Sequence, residues 1–204
     1  VEATQGASLV ALNMYDMLTP LDKGIEIGAI RLVSKHGGKS DRHQVKAIIS
    51  SAVTVCSDTV SKKEKEDKAG KEVIKTIENW GVNVSDYSVI PDDIEQIQAQ
   101  LKKHIDAKTA LILFVGGTGL SPRDQTPEAI APLLEKRIPG MEEAIRKYGQ
   151  DRTSYAALSR SVVGMIGTSL VMALPGSTKG AIESLNAVFP EAFHLFDIVK
   201  GAQH

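Results

Sequence analysis

The chain has 204 residues, of which 42% are hydrophobic and 24% are charged, and its formal net charge at pH 7 is −1. This length fits one α/β domain plus a fragment of another. The balanced charge and the low aromatic content give no case for a nucleic-acid surface or for an acidic membrane surface. No stretch reaches the roughly 18 apolar residues that a membrane span needs, and no signal peptide opens the chain, so we expect a cytoplasmic protein.

Cysteine and histidine chemistry is also restricted. Cys56 is the only cysteine, which excludes an internal disulfide and fits a reducing compartment. It lies in an apolar run, so we expect a buried, unreactive thiol. The five histidines lack metal-ligand spacing, and the sequence has neither a nucleophile-elbow motif nor a P-loop motif.

The first predicted element is a helix over residues 4–18, where apolar side chains recur at helical spacing. Two short stretches, residues 25–27 and 29–33, have the composition of strands. Residues 36–41, HGGKSD, are polar and carry two glycines, which favours a linker.

This opening resembles the C-terminal end of the cyclic pyranopterin monophosphate synthases (MoaC type), over about residues 1–41. The motifs YDM at residues 15–17 and GGKS at residues 37–40 carry the resemblance. In that family a catalytic lysine follows YDM by two residues, whereas this chain has Thr19 at that position. Most of the synthase domain is missing from the match. We therefore expect residues 1–41 to be a C-terminal remnant of such a domain plus a linker, without synthase activity.

A second domain is predicted over residues 44–204, where strands alternate with helices. Residues 45–56 are largely apolar, as a central parallel strand requires. A charged loop at residues 61–68 follows, then a helix at 69–80 and a strand at 82–90. Asp92 and Asp93 come next, before another predicted helix, and capping of that helix alone could explain either aspartate.

Three glycines within the four positions 116–119 interrupt the chain after a short apolar run at residues 110–115. The run is typical of a fully buried strand, and the glycines favour positive φ angles and leave backbone N–H groups open to an anion. Residues 126–128, TPE, have the pattern of a helix start, and we expect that helix to run to Arg137. Because Asp124 lies beside this turn, the sequence predicts a phosphate site with a metal ion or a general base.

A hairpin is predicted over residues 161–174, where Gly167 separates two apolar runs. The second run leads into a small-residue turn at residues 175–177, PGS, before another helix, so a second anion-binding turn is plausible. We expect both turns at the same edge of one sheet, flanking one cleft. The predicted fold is α/β, a three-layer α/β/α sandwich with a mostly parallel sheet and an antiparallel edge hairpin.

Residues 116–129, GGTGLSPRDQTPEA, closely resemble the signature of the molybdopterin adenylyltransferases (MogA/MoaB type), and the resemblance covers about residues 46–204. Members transfer AMP from ATP to the terminal phosphate of molybdopterin. The two resemblances together describe a fusion of two enzymes of molybdenum cofactor biosynthesis. The implied partners are molybdopterin, ATP and other enzymes of the pathway, the implied cofactor is Mg²⁺, and the implied assembly is a homotrimer.

The resemblance also implies roles for individual residues. Asp92 takes the position of a catalytic acid of the family and would hold Mg²⁺ together with Asp124. Asp58 and Asp67 would belong to the nucleotide loop. The residues expected to bind the pterin and its phosphate are Gly116, Gly117, Thr118, Gly119, Ser121, Gly176 and Ser177. Two alternatives stay open: a nucleotide-processing domain of the same fold, and a molybdopterin-binding scaffold without adenylyltransferase activity.

Overall fold

The structure, a computed structural model, describes residues 2–31, 49–62 and 66–199. The chain divides into two units, Val1–Arg42 and His43–His204. The candidate site lies in the second unit.

In the first unit, helix α1 spans Glu2–Leu18, which agrees with the helix predicted from the apolar spacing. Residues 25–31 form no strand, although their composition favoured one. A strand needs a neighbouring strand to pair its backbone N–H and C=O groups, and no described residue of this unit forms such a ladder. The predicted linker at residues 36–41 lies outside the described residues.

The second unit contains a six-stranded sheet. Its strands are β1 (Ser50–Cys56), β2 (Asn83–Ile90), β3 (Leu111–Val115), β4 (Lys136–Arg137), β5 (Val163–Ile166) and β6 (Ser169–Leu174). The spatial order is β2-β1-β3-β6-β5-β4. The first four strands of this order are parallel, whereas β5 pairs antiparallel with both β6 and β4.

The described helices of the second unit cover both faces of this sheet. They are α2 (Asp58–Ser61), α3 (Ala69–Asn79), α4 (Ile94–Asp106), α5 (Thr126–Ile130), α6 (Pro139–Gln150), α7 (Thr178–Asn186) and α8 (His194–Val199). Buried residues of α3, α6, α7 and α8 join one core, and those of α4 and α5 join the other. In the described part of the chain, no helix is both long enough and apolar enough to cross a bilayer.

The central strand β3 supplies both cores in alternation. Leu111, Leu113 and Val115 pack in the core with α3, α6 and α7, and Ile112 and Phe114 pack in the core with α4 and α5. Successive side chains of a strand point to opposite faces, and all five are at most 1% exposed. Burial on both faces explains the continuous apolar run in the sequence. The predicted three-layer sandwich, with its parallel sheet and antiparallel hairpin, is therefore confirmed.

The helix predicted from Pro127 to Arg137 ends much earlier than expected. After α5, residues Ala131–Leu133 form a single 3₁₀ turn, and Lys136–Arg137 belong to β4. Pro132 explains the difference, because proline has no N–H to donate and its ring clashes with the preceding turn of an α-helix. The chain leaves the helix there and reaches the sheet edge, where β4 pairs with β5.

Candidate functional site

A cleft of about 420 Å³ opens where the four parallel strands end. Because parallel strands present their carboxyl ends at one edge of a sheet, the loops that follow them converge there. The cleft is lined by residues 57–60 after β1, residues 66–69 at the start of α3, Asp92 after β2, part of the loop after β3 and residues 176–178 after β6. The lining residues of the loop after β3 are Gly116, Gly117, Ser121, Arg123 and Asp124. We call residues 116–125 the glycine loop.

Most of the site residues predicted from the sequence line this cleft: Asp58, Asp67, Asp92, Gly116, Gly117, Ser121, Asp124, Gly176 and Ser177. Thr118 and Gly119 instead line a second cavity of about 440 Å³, which shares Gly176 and Ser177 with the cleft. The expectation that the glycine loop and the loop of residues 175–177 flank one cleft is confirmed.

The first two residues of the glycine loop have room for no side chain. Gly116 has a φ of +112°, and a Cβ atom there would lie 2.2 Å from the carbonyl oxygen of Cys56. Gly117 has a φ of +62°, and its Cβ atom would lie 2.1 Å from Oδ2 of Asp92 and 2.3 Å from Oγ1 of Thr126. Glycine is therefore required at both positions by backbone conformation and by close contact.

Hydrogen bonds separate the roles of the two neighbouring aspartates. Asp93 caps α4, since its Oδ1 atom accepts from the N–H of Gln96 at 3.0 Å. Asp92 does not cap a helix. Its Oδ1 atom accepts from the N–H of Gln125 at 3.2 Å and from the hydroxyl of Thr126 at 3.3 Å, so it supports the far end of the glycine loop. Helix capping therefore explains Asp93, whereas Asp92 caps no helix and lines the cleft.

The carboxylates of Asp58, Asp92 and Asp124 all line the cleft. Asp58 accepts from the N–H of Asp92 at 3.3 Å through Oδ1, and Asp124 accepts from the N–H of Ser121 at 2.8 Å through Oδ2. Burial raises the pKa of Asp92 above its ordinary 3.8. The hydrogen bonds from residues 125 and 126 lower this pKa, and the negative charges of Asp124 and Asp58 raise it, so that the net shift is upward. Within the described residues, one oxygen each of Asp58, Asp92 and Asp124 accepts no hydrogen bond.

Two basic residues, Lys68 and Arg123, also line the cleft. Neither forms an ion pair with an acidic residue of the described ranges. Sequence reasoning missed Lys68, because it ends a run of charged residues that is typical of a solvated loop. The combination of carboxylates and unpaired cations suits a ligand that carries several phosphates together with a metal ion.

Asp67 has a structural explanation. Its side chain is buried, its Oδ1 atom accepts from the N–H of Gly70 at 2.9 Å, and its Oδ2 atom accepts from the hydroxyl of Tyr87 at 2.7 Å. Burial and then this hydrogen bond raise the pKa of the Tyr87 phenol. Asp67 thus fixes the first turn of α3 against β2, and its contact with a nucleotide stays a prediction.

The cysteine at the end of β1 is not a candidate nucleophile. Cys56 is 2% exposed, and burial raises the pKa of its thiol to about 12. At neutral pH the thiolate, which is the reactive form, is therefore almost absent. This agrees with the buried, unreactive thiol expected from the sequence.

A preformed metal cage is not present in the described ranges 2–31, 49–62 and 66–199, where no three Asp, Glu, His or Cys side chains are grouped to hold an ion. Mg²⁺ does not need such a cage, because it commonly uses one or two carboxylates and completes its octahedral shell with water and phosphate oxygens. Asp92 and Asp124, each with an oxygen that accepts no hydrogen bond from the described residues, fit that mode of binding.

Comparison with known families bears out both resemblances. Residues 52–194 match the MoCF_biosynth family, described as "Probable molybdopterin binding domain", and residues 1–38 match the MoaC family. The first match covers the whole sheet except the start of β1 and includes every residue of the cleft.

Individual relatives agree with these matches. A protein from Chlorobaculum tepidum named molybdenum cofactor biosynthesis bifunctional protein is 36% identical over 204 residues, and this chain spans 65% of its length. Molybdenum cofactor biosynthesis protein B of Staphylococcus aureus is 36% identical over 165 residues, which are 78% of this chain and 96% of that protein. The crystal structure of the molybdopterin biosynthesis enzyme MoaB from Thermus thermophilus superposes with a TM-score of 0.72 at 38% identity, covering 76% of this chain and 98% of that one.

Asp92→Asn is expected to stabilise the ligand-free protein at neutral pH. The raised pKa means that the folded state disfavours the charged carboxylate, so stability is greatest when Asp92 is protonated and is lost as the pH rises through its pKa. Asparagine keeps an oxygen for residues 125 and 126. Melting temperatures measured from pH 4 to 8 should show a variant that is more stable than the parent at pH 7.5, with the difference shrinking towards acid.

The matched control for this experiment is Asp93→Asn, because asparagine caps a helix as well as aspartate does. It should show no comparable gain. An Asp92→Asn protein that melts below the parent at every pH would contradict the account, since it would mean that the Asp92 charge stabilises the free fold.

Gly117→Ala is expected to damage both stability and function, because the new methyl group would collide with Asp92 and Thr126. Gly167→Ala is the control, since Gly167 also has a positive φ, +55°, but open space around it. Chemical denaturation should show a loss of about 1–2 kcal/mol for the control from backbone strain alone. The loss for Gly117→Ala should be larger by about 1–3 kcal/mol, the usual cost of overpacking. Equal losses would show that the contact at Gly117 is unimportant.

Proposed function

The chain belongs to the MoCF_biosynth family of molybdopterin binding domains, and from this premise we propose that it adenylylates molybdopterin in molybdenum cofactor biosynthesis. In this reaction an oxygen of the terminal phosphate of molybdopterin forms a bond to the α-phosphorus of ATP. The bond between the α-phosphorus and the bridging oxygen to the β-phosphorus breaks, and pyrophosphate leaves. The observation that carries the proposal is the meeting of the glycine loop with Asp92 and Asp124 in one cleft.

The two cavities suggest how the substrates are placed. Gly116 and Gly117 line the acidic cleft, whereas Thr118 and Gly119 line the second cavity. A phosphate bound to the glycine loop would therefore sit at the wall between them. We assign the nucleotide to the acidic cleft and the pterin to the second cavity, where Leu120 and other apolar side chains provide contact for a planar ring.

The nucleophile in this reaction needs little activation. A phosphate monoester has a second pKa near 6, so it is largely dianionic at pH 7. The chain therefore needs no strong base and no nucleophilic side chain, which is consistent with the buried state of Cys56. Its task is to bring two anionic groups together in line and to compensate their charge.

The residues of the cleft can do this in three ways. Backbone N–H groups of residues 117–119 and of the N-terminus of α7, which Ser177 caps, would bind phosphate oxygens. Asp92 and Asp124 would hold Mg²⁺, which when bound supplies positive charge between the carboxylates and the phosphates. Lys68 and Arg123 line the cleft and would bind further phosphate oxygens.

The decisive assay incubates the chain with MgATP and molybdopterin and identifies the products. Formation of the AMP–pterin product with pyrophosphate supports the proposal. Hydrolysis of nucleotide without transfer would point to a nucleotide-processing domain, and pterin binding without any product would point to a scaffold. Either of these two outcomes would overturn the proposed reaction.

Asp124→Asn is expected to lower the rate of AMP transfer by roughly 10²-fold, comparable to the loss of one preorganised electrostatic contact. Asparagine retains an oxygen for the N–H of Ser121, so the loop should keep its shape and pterin affinity should stay near that of the parent. The rate, the pterin affinity and the melting temperature should be measured on the same preparation.

The control is Asp106→Asn, which makes the same chemical change at an exposed residue outside both cavities. It should leave the rate unchanged. If Asp124→Asn lost stability and pterin affinity together with the rate, Asp124 would only brace the loop. A fully active Asp124→Asn protein would end its assignment as a metal ligand.

A further inference from the structure

Arg160 bonds to the glycine loop at three carbonyl groups. It lies between the 3₁₀ turn Ser154–Leu158 and β5. Its backbone N–H donates to the carbonyl of Thr118 at 3.1 Å. Its Nε atom donates to the carbonyl of Gly119 at 2.7 Å, and its Nη2 atom donates to the carbonyl of Asp124 at 2.8 Å.

A fourth contact fixes the guanidinium itself. Its Nη1 atom donates to the carboxylate of Glu128, which lies in the first turn of α5 immediately after the loop. The two side chains of this ion pair are 30% and 49% exposed, for Arg160 and Glu128 respectively. An exposed ion pair contributes little to stability, so we expect the value of this arrangement to lie in the geometry that it imposes.

The two side-chain bonds of Arg160 to the loop enclose the turn that carries the cleft residues. Within this turn the N–H of Asp124 donates to the carbonyl of Ser121 at 2.9 Å, and the N–H of Ser121 donates to the carboxylate of Asp124. The carbonyls of Gly119 and Asp124 lie near the two ends of this turn, and both accept hydrogen bonds from the same planar guanidinium. The orientation of the turn is therefore set from its outer side.

Arg160 is not among the residues that line either cavity. We propose that Arg160 is a positioning residue, which holds Ser121 and Asp124 in their orientation towards the cleft by binding the carbonyls of Gly119 and Asp124. This role rests on the proposed function only for the identity of the ligand that the cleft binds. The fork of donors is essential to it, because a lysine ammonium is a point charge that cannot reproduce three bonds in one plane.

The test uses Arg160→Lys in the full chain, with three measurements. Amide hydrogen exchange should become roughly tenfold faster in residues 117–126 and stay unchanged in the sheet. A tenfold change corresponds to a fall of about 1.4 kcal/mol in the free energy of local opening of the loop. Affinity for inorganic pyrophosphate with Mg²⁺ should fall several-fold. The rate of AMP transfer should fall by roughly 10²-fold, which is the loss that a displacement of about 1 Å in a reacting group causes. The loss should appear mainly in kcat.

Two further variants exclude a merely structural effect. Arg137→Lys is the matched control. The Nε and Nη2 atoms of Arg137 both donate to the carboxylate of Glu142, but Arg137 touches neither the glycine loop nor a cavity. This variant should leave loop exchange and turnover unchanged even if it lowers the melting temperature. Arg160→Ala should regain part of its turnover when millimolar guanidinium is added, which a loss of global stability would not allow.

The outcomes separate clearly. Faster exchange in the loop together with weaker pyrophosphate binding supports the role, and neither measurement needs turnover, so both decide on Arg160 even if the parent transfers no AMP. Unchanged exchange in Arg160→Lys overturns the proposal, whether turnover is retained or lost, because Arg160 then either has no role or acts directly on the substrates. Faster exchange with unaltered binding overturns it as well.

Discussion

The glycine loop packs its backbone directly against the ends of both neighbouring strands, and the rest of the site depends on that close approach. A Cβ atom at Gly116 would lie 2.2 Å from the carbonyl oxygen of Cys56, and one at Gly176 would lie 3.2 Å from the Cα atom of Gly116. The floor of the cleft is therefore made of backbone. The N–H of Gly116 donates to the carbonyl of Leu174, and the next N–H, that of Gly117, is the kind of donor that a phosphate oxygen needs. Charged side chains come from the loops around this floor, among them Asp58 after β1, Asp92 after β2 and Asp124 after β3.

This arrangement places like charges together in the free protein. Asp92 is held near two other carboxylates and is partly buried, and both effects oppose its ionisation. A site built only for stability would avoid such a cluster, whereas a site that binds a cation with phosphates gains from it, because the ligand supplies the missing charge. Proteins commonly accept local electrostatic cost at functional sites. The cost at Asp92 is therefore better explained by ligand binding than by folding.

Much of the fold could be read from the sequence, because its signals are local. The run ending at Val115 predicts a strand buried on both faces, which the structure confirms, and the glycines after it predict the turn that lines the cleft. Local signals failed to predict the roles of residues whose partners are distant in the sequence. Capping patterns could not separate Asp92 from Asp93, whose hydrogen-bond partners differ in the structure, and only the family resemblance favoured Asp92. Arg160 gave no signal, because its partner Gly119 lies 41 residues away. Pro132 was a local signal that could have predicted the early end of α5.

The most direct test of the central claim is a crystal structure of the chain with Mg²⁺ and α,β-methylene-ATP, an analogue that cannot release pyrophosphate. The account predicts phosphates bound to the backbone N–H of Gly117, because the N–H of Gly116 already donates to the carbonyl of Leu174. It also predicts a metal ion between these phosphates and the carboxylates of Asp92 and Asp124. Phosphates bound away from the glycine loop, or bound there with both carboxylates turned away and no cation between, would contradict it.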